Sequence, residues 1–158
     1  MKNLFNSMIM AAILAISMPG PAVSKDRING VVVGVADGDT VSVWEDEKVY
    51  PVRLYGIDAP EIGQAYGPEA KLFISRLVFN KDLVVTIQGT DRDGNLYGLI
   101  HIDRVSVNEE LIRHGMAWVD PKTCSRDLCS RWKQIQGEAR AQGEGLWKQA
   151  DPVPPWEF

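Results

Sequence analysis

Val52-Arg53-Leu54-Tyr55-Gly56-Ile57-Asp58-Ala59-Pro60-Glu61 carries the most information about this fold. The segment 50–57 reads as a strand that ends in a stiff turn. Pro60 fixes its own φ and forces Ala59 extended, which aims Asp58 and Glu61 at one place. Arg53 precedes Asp58 by five positions. That odd separation puts the two side chains on opposite faces of a regular strand, and a bulge or curl near Gly56 brings them together. Upstream stands Val35-Ala36-Asp37-Gly38-Asp39-Thr40-Val41, in which Asp37-Gly38 is a hairpin-turn signal followed at once by Asp39. Two Asp oxygens and a backbone carbonyl suit a hard cation, calcium or magnesium, whereas zinc wants His or Cys. A nearby Glu can activate water and an Arg can neutralise phosphate charge, the set that phosphodiester hydrolysis needs. On chemistry alone, a hairpin turn and a surface ion pair remain the more economical reading of the same residues.

Working outward, strands are expected at 31–35, 40–44 (Val41 and Val43 on one face), 50–57, 83–88 and 96–102, with a second turn at Asp93-Gly94. Pro68 opens a helix over 69–79, with Leu72, Ile74, Leu77 and Val78 as its apolar positions. Asn108 can cap a second helix, 109–114, and Gly115 lies near its end. A third, 129–142, spaces Trp132, Ile135 and Ala139 along one face and stops at Gly143 and Gly145. The tail, 151–158, has three prolines and reads as non-helical, with Pro155, Trp156 and Phe158 available to pack back on the domain. Strands, an inserted helix, more strands and then helices make an α+β pattern, for which a small closed OB-like barrel is one option.

The chain has 158 residues, 45% hydrophobic, 24% charged and 8% aromatic. This excludes a disordered polar chain, a collagen-like repeat and a coiled coil. The net charge of −4 means that any nucleic acid is bound through a local basic site and not through bulk charge. Residues 1–24 hold Lys2, an uncharged apolar run, the breaker Pro19-Gly20-Pro21, and small Ala22 and Ser24. That is the pattern of a cleavable signal peptide, and the run is too short for a membrane span. It predicts a secreted or periplasmic protein with no stable anchor after cleavage. In an oxidising compartment Cys124 and Cys129 read as a disulfide, with two free thiols as the alternative. Other residues take plain readings. His101 is structural or exposed, and His114 suits a helix C-terminus. Trp118, Trp132, Trp147 and Trp156 are core or tail anchors, and Lys71, Arg76 and Lys81 form a solvated face.

The two quoted motifs resemble the thermonuclease (staphylococcal-nuclease-like) family. Tyr66-Gly67-Pro68-Glu69-Ala70 looks like the start of its first helix. Val107-Asn108-Glu109-Glu110-Leu111 with Gly115-Met116-Ala117-Trp118 looks like its second, and Ala139-Arg140 with Gly145-Leu146-Trp147 like the end of its third. Pro154-Pro155-Trp156-Glu157-Phe158 is similar to a tail of secreted bacterial members. The resemblance implies a five-stranded OB-fold barrel with about three helices over 25–150, and a secreted, calcium-dependent nuclease of DNA and RNA, expected to be a monomer. By position, Asp39, Asp58 and the Ala59 carbonyl would bind Ca2+. Glu61 would be the general base and Arg53 the first phosphate-binding arginine.

The chain also departs from that pattern. The second catalytic arginine of the family follows a turn that reads Asp91-Arg92-Asp93-Gly94-Asn95 here, so Asn95 stands in its place and Asp93 in that of a tyrosine. Losing a charge-assisted contact to a developing phosphate charge costs several kcal/mol of transition-state stabilisation, and about 4 kcal/mol is nearly a thousandfold in rate. A tyrosine usual after Trp118-Val119 is absent as well. Arg92, Lys122 and Arg126 are the candidates to replace the lost charge, Arg92 as a substrate-binding residue on the same turn. A weakened nuclease is the expectation; the rival is a non-catalytic OB-fold binding module for nucleic acid or another envelope ligand.

Overall fold

Alternating valines build the first half of the barrel. β1 (Arg27–Val35), β2 (Thr40–Glu45) and β3 (Lys48–Leu54) form an antiparallel meander, with Ile28, Val32, Val41, Val43, Val52 and Leu54 turned inward and fully buried. After a two-residue strand, β4 (Ile57–Asp58), the chain forms α1 (Gly67–Val78). β5 (Asp82–Thr90) returns to pair with β1, and β6 (Leu96–Ile102) pairs with β5. β6 then meets β3 in parallel, with Val52 opposite Leu96, Arg53 opposite Tyr97 and Leu54 opposite Gly98. That pairing closes β1, β2, β3, β5 and β6 into a five-stranded barrel. Register shifts in β1 at Val32/Gly34 and in β5 at Ile87/Gly89 supply the local bends that closure needs. β7 (Val105–Ser106), α2 (Val107–Arg113), β8 (Trp118–Val119, antiparallel to β4) and α3 (Leu128–Gln142) follow, with short 3-10 turns at Gly145–Lys148 and Pro155–Glu157. The architecture is α+β, an OB-fold barrel with three α-helices among the described residues.

This computed structural model describes residues 25–91, 94–124 and 127–158. The expected signal peptide at 1–24 lies outside the described residues, as do Arg92, Asp93 and Arg126. No helix among the described residues is long and apolar enough to cross a membrane.

Several local expectations change. α1 buries Gly67, Ala70, Ile74 and Val78, while Leu72 is 50% exposed, so the helix starts earlier and faces the barrel with smaller residues than the apolar pattern suggested. The N-cap of α2 is Ser106, whose hydroxyl accepts from Glu109 N at 3.3 Å. Asn108 is a fully buried residue inside the helix and not its cap. α3 places Cys129, Trp132, Ile135 and Ala139 on its buried face. The proline-rich tail contains one short helical turn, since Pro155 at its first position loses no hydrogen bond there. Cys124 and Cys129 are bonded to each other. His114 Nδ1 lies 3.0 Å from the carbonyl of Glu110, at the end of α2 as expected.

Candidate active site

β3 ends at Leu54 because Gly56 turns the chain with φ +73, a conformation that costs glycine little. A Cβ there would meet Trp132 at 3.0 Å and Cys124 Sγ at 3.1 Å. This turn resets the alternation, and Arg53 and Asp58 end on the same side. Arg53 Nη2 donates to Asp58 Oδ1 at 2.7 Å and to Asp39 Oδ2 at 3.5 Å. The curl anticipated near Gly56 therefore brings together two groups that a regular strand would separate.

Asp39 comes from the β1–β2 connection. Its backbone N–H donates to Asp37 Oδ1 at 3.0 Å, so Asp37 shapes the turn. Asp39 Oδ1 accepts from Thr40 Oγ1 at 3.0 Å, and Oδ2 accepts from the backbone N–H of Ala59 at 3.1 Å. Gly38 lacks a positive φ; it is small because a Cβ would lie 2.6 Å from Ala59 Cβ and 2.8 Å from Ala70 Cβ. Its role is to let three segments meet: the Asp39 turn, the Ala59 turn and α1.

Asp39 is 4% exposed and Asp58 9%. Burial pushes the Asp39 carboxyl up to about 7; the Arg53 cation and the Ala59 N–H oppose that rise, and the Asp37 and Asp58 charges add to it. Burial likewise raises Asp58, against the pull of Arg53. Burial alone would lower Arg53, but Asp39 and Asp58 outweigh it and hold the guanidinium above its usual range. Two buried carboxylates held by one cation form a site that favours added positive charge.

Glu61 lies on the exposed turn after Pro60, close enough for its charge to raise Asp58. Gln64 holds that turn in place. Its Oε1 accepts from Glu61 N at 3.1 Å, and its Nε2 donates to the carbonyl of Val153 in the tail at 2.6 Å. Asn95 is placed differently: its Nδ2 donates to Asp91 Oδ2 and its backbone N–H to Asp91 Oδ1, both at 2.8 Å. The amide closes its own hairpin and does not line the cavity beside Arg53. That cavity, about 220 Å³, is lined by Arg53, Asp58, Tyr97, Asp120, Lys122 and Trp156 among others.

Three contributors were missed by sequence reasoning. Asn108 donates to the carbonyls of Tyr55 (3.0 Å) and Gly98 (3.4 Å) and accepts from Ile100 N (3.0 Å), tying the Gly56 turn to β6. Gln64 had no signal in the pattern. Trp156, read only as an anchor, does pack edge-on against Trp118 with centroids 5.9 Å apart, but it also walls the cavity.

The candidate donors are oxygens only: Asp39, Asp58 and the neighbouring Ala59 carbonyl. No group of three His, Cys, Asp or Glu that could hold a metal stands together among the described residues. Two carboxylates with carbonyl and water oxygens suit a hard cation of flexible coordination, and nothing there suits zinc.

Residues 51–149 match the family model described as Staphylococcal nuclease homologue. An uncharacterized endonuclease of Escherichia coli O157:H7 is 41% identical over 130 residues, covering 82% of this chain and 83% of the relative. One from Haemophilus influenzae is 33% identical over 151 residues, covering 95% and 83%. A micrococcal nuclease of Shigella flexneri is 31% identical over 157 residues, covering 94% and 87%. The barrel, the Asp39–Arg53–Asp58 cluster and these matches together make the chain a member of the staphylococcal nuclease family.

Proposed function

We propose that this protein is a secreted or periplasmic, calcium-dependent nuclease that hydrolyses phosphodiesters of DNA and RNA. The observation that carries the reading is the pairing of two buried carboxylates, Asp39 and Asp58, with Arg53 at the mouth of a polar cavity. The relatives' names point the same way, and the export reading rests on residues 1–24.

Asp39, Asp58 and the carbonyl of Ala59 would hold the cation. When bound, it supplies charge stabilisation to the phosphoryl oxygens and a lower pKa for coordinated water. Arg53 orients the phosphate. Its Nη2 is engaged by the carboxylates, and the guanidinium has further N–H donors for a non-bridging oxygen. Glu61, on a turn fixed by Pro60 and Gln64, accepts the proton of the attacking water. Asn95 makes no charged contribution, because its side chain is a neutral amide, and that amide donates to Asp91.

The test is cleavage of single-stranded DNA and RNA by the purified chain, with calcium and with EDTA, beside Glu61→Gln. The expected result is cleavage with calcium only, reduced about a hundredfold or more in the variant. Calcium-independent binding without turnover would establish the non-catalytic module instead.

A further inference from the structure

We propose that Lys122 supplies the second phosphate-binding cation of this site, contacting a non-bridging oxygen of the nucleic-acid phosphodiester across the cavity from Arg53. The inference rests on the nuclease reading above.

The hairpin that would carry a second cation has none among its described residues at the decisive position. Asn95 is neutral, and its backbone N–H and one N–H of its amide donate to Asp91. The cavity nonetheless has a second basic residue. Lys122 lines it together with Arg53, Asp58 and Tyr97. Among the described residues no carboxylate holds its ammonium in an ion pair, and the residue is exposed, so the side chain is free to meet a ligand.

Its backbone, by contrast, is fixed. Lys122 N donates to Asp120 Oδ1 at 2.8 Å and Thr123 Oγ1 to Asp120 Oδ2 at 2.6 Å. Both oxygens of Asp120, the nearest carboxylate in sequence, are thus used to build the turn. Cys124 N donates to the carbonyl of Asp120 at 2.9 Å, and Asp120 N to the carbonyl of Gly56 at 3.0 Å. The disulfide pins the far end of the same turn to α3. Gly56 is the residue that brings Arg53 and Asp58 together, so the segment carrying Lys122 is bonded directly to the segment that organises the site. A flexible ammonium on a rigid base suits a point-charge contact to phosphate, where a guanidinium fork would be needed only for bidentate geometry.

Cleavage of single-stranded DNA in calcium is measured for wild type, Lys122→Gln, Lys122→Arg, Lys122→Gln/Asn95→Arg and, as a control for overall charge, Lys133→Gln on the exposed side of α3. Lys122→Gln is expected to lose about ten- to a hundredfold in kcat/KM. Lys122→Arg, which keeps the charge, should lose less than Lys122→Gln, Lys133→Gln should stay near wild type, and adding Asn95→Arg to Lys122→Gln should recover part of the loss. A Glu61→Gln background allows binding of the same oligonucleotide to be titrated against salt, where Lys122→Gln should lower the slope by about 0.7. A purely structural role for Lys122 would leave that slope unchanged. Equal cleavage by wild type and Lys122→Gln overturns the inference and leaves the nuclease reading intact. A wild type that does not cleave overturns both.

Discussion

Replacing Gly38 by alanine should damage the proposed cation site from a distance. The new Cβ would lie 2.6 Å from Ala59 Cβ and 2.8 Å from Ala70 Cβ. Carbon atoms settle at about 3.5–4.0 Å, so about 1 Å of separation must be found. Neither neighbour can rotate away, because a Cβ moves only with its backbone. Overpacking of this kind costs about 1–3 kcal/mol. The segment that yields carries Ala59, whose N–H donates to Asp39 Oδ2 at 3.1 Å; losing a hydrogen bond to a charged group adds about 1.5–3 kcal/mol. The sum, about 2.5–6 kcal/mol, is a large part of the stability of a domain this size. Urea unfolding measures it directly, and calcium titration should show weakened affinity. Gly38→Ala/Ala59→Gly removes the closer of the two contacts and should recover more than additivity allows. A Gly38→Ala protein with the wild-type unfolding midpoint and calcium affinity would refute the reasoning.

Three further outcomes are expected. In EDTA, the buried Asp39 carboxyl keeps its proton longer in the folded than in the unfolded state, so its penalty is absent at low pH and grows as pH rises from about 4 towards 7; Asp39→Asn should therefore gain stability relative to wild type between pH 4.5 and 7.5, and a pH-independent difference in urea midpoints would contradict the burial effect. Asn108→Ala leaves the Ile100 N–H without its acceptor and should cost about 2–4 kcal/mol by chemical denaturation, with activity falling only as the folded fraction falls. Cys124→Ser/Cys129→Ser should lose about 2 kcal/mol, and a fully oxidised wild type whose unfolding is insensitive to reductant would speak against that.

The barrel strands were legible because inward valines and leucines alternate along them, and β6 begins and ends where its pattern does. The Asp39–Arg53–Asp58 cluster was legible as residue types, while its geometry hinged on Gly56, which has a positive φ and where Trp132 and Cys124, far along the chain, leave little room for a Cβ. Local rules misassigned Asn108 for a related reason. A polar residue near a helix start reads as a cap, yet one of its partners is the carbonyl of Tyr55 in the first half of the chain. Gly38 lies in the β1–β2 turn that its sequence signalled, and its lack of a Cβ also makes room for Ala59 and Ala70. Leu72 satisfied helix periodicity but falls on the solvent side, because the close approach of Gly67 and Ala70 rotates α1 towards its small residues. Lys122 was legible only as one of three candidate cations and Trp156 only as an anchor; a cavity gathers them from a turn and a tail.

The parallel pairing of β3 with β6 has a kinetic consequence. Arg53 sits on that seam, opposite Tyr97 on one side and Thr40 on the other. The β1–β2–β3 meander joins neighbours in sequence and can form early, whereas the seam joins distant segments and must meet its loop-closure entropy before any contact repays it. A chain caught with only the meander formed has Asp39 and Arg53 near each other but leaves the strand of Arg53 as an open edge. Recovery of activity during refolding should thus track the slowest, most cooperative phase, and partly folded chains should be catalytically silent.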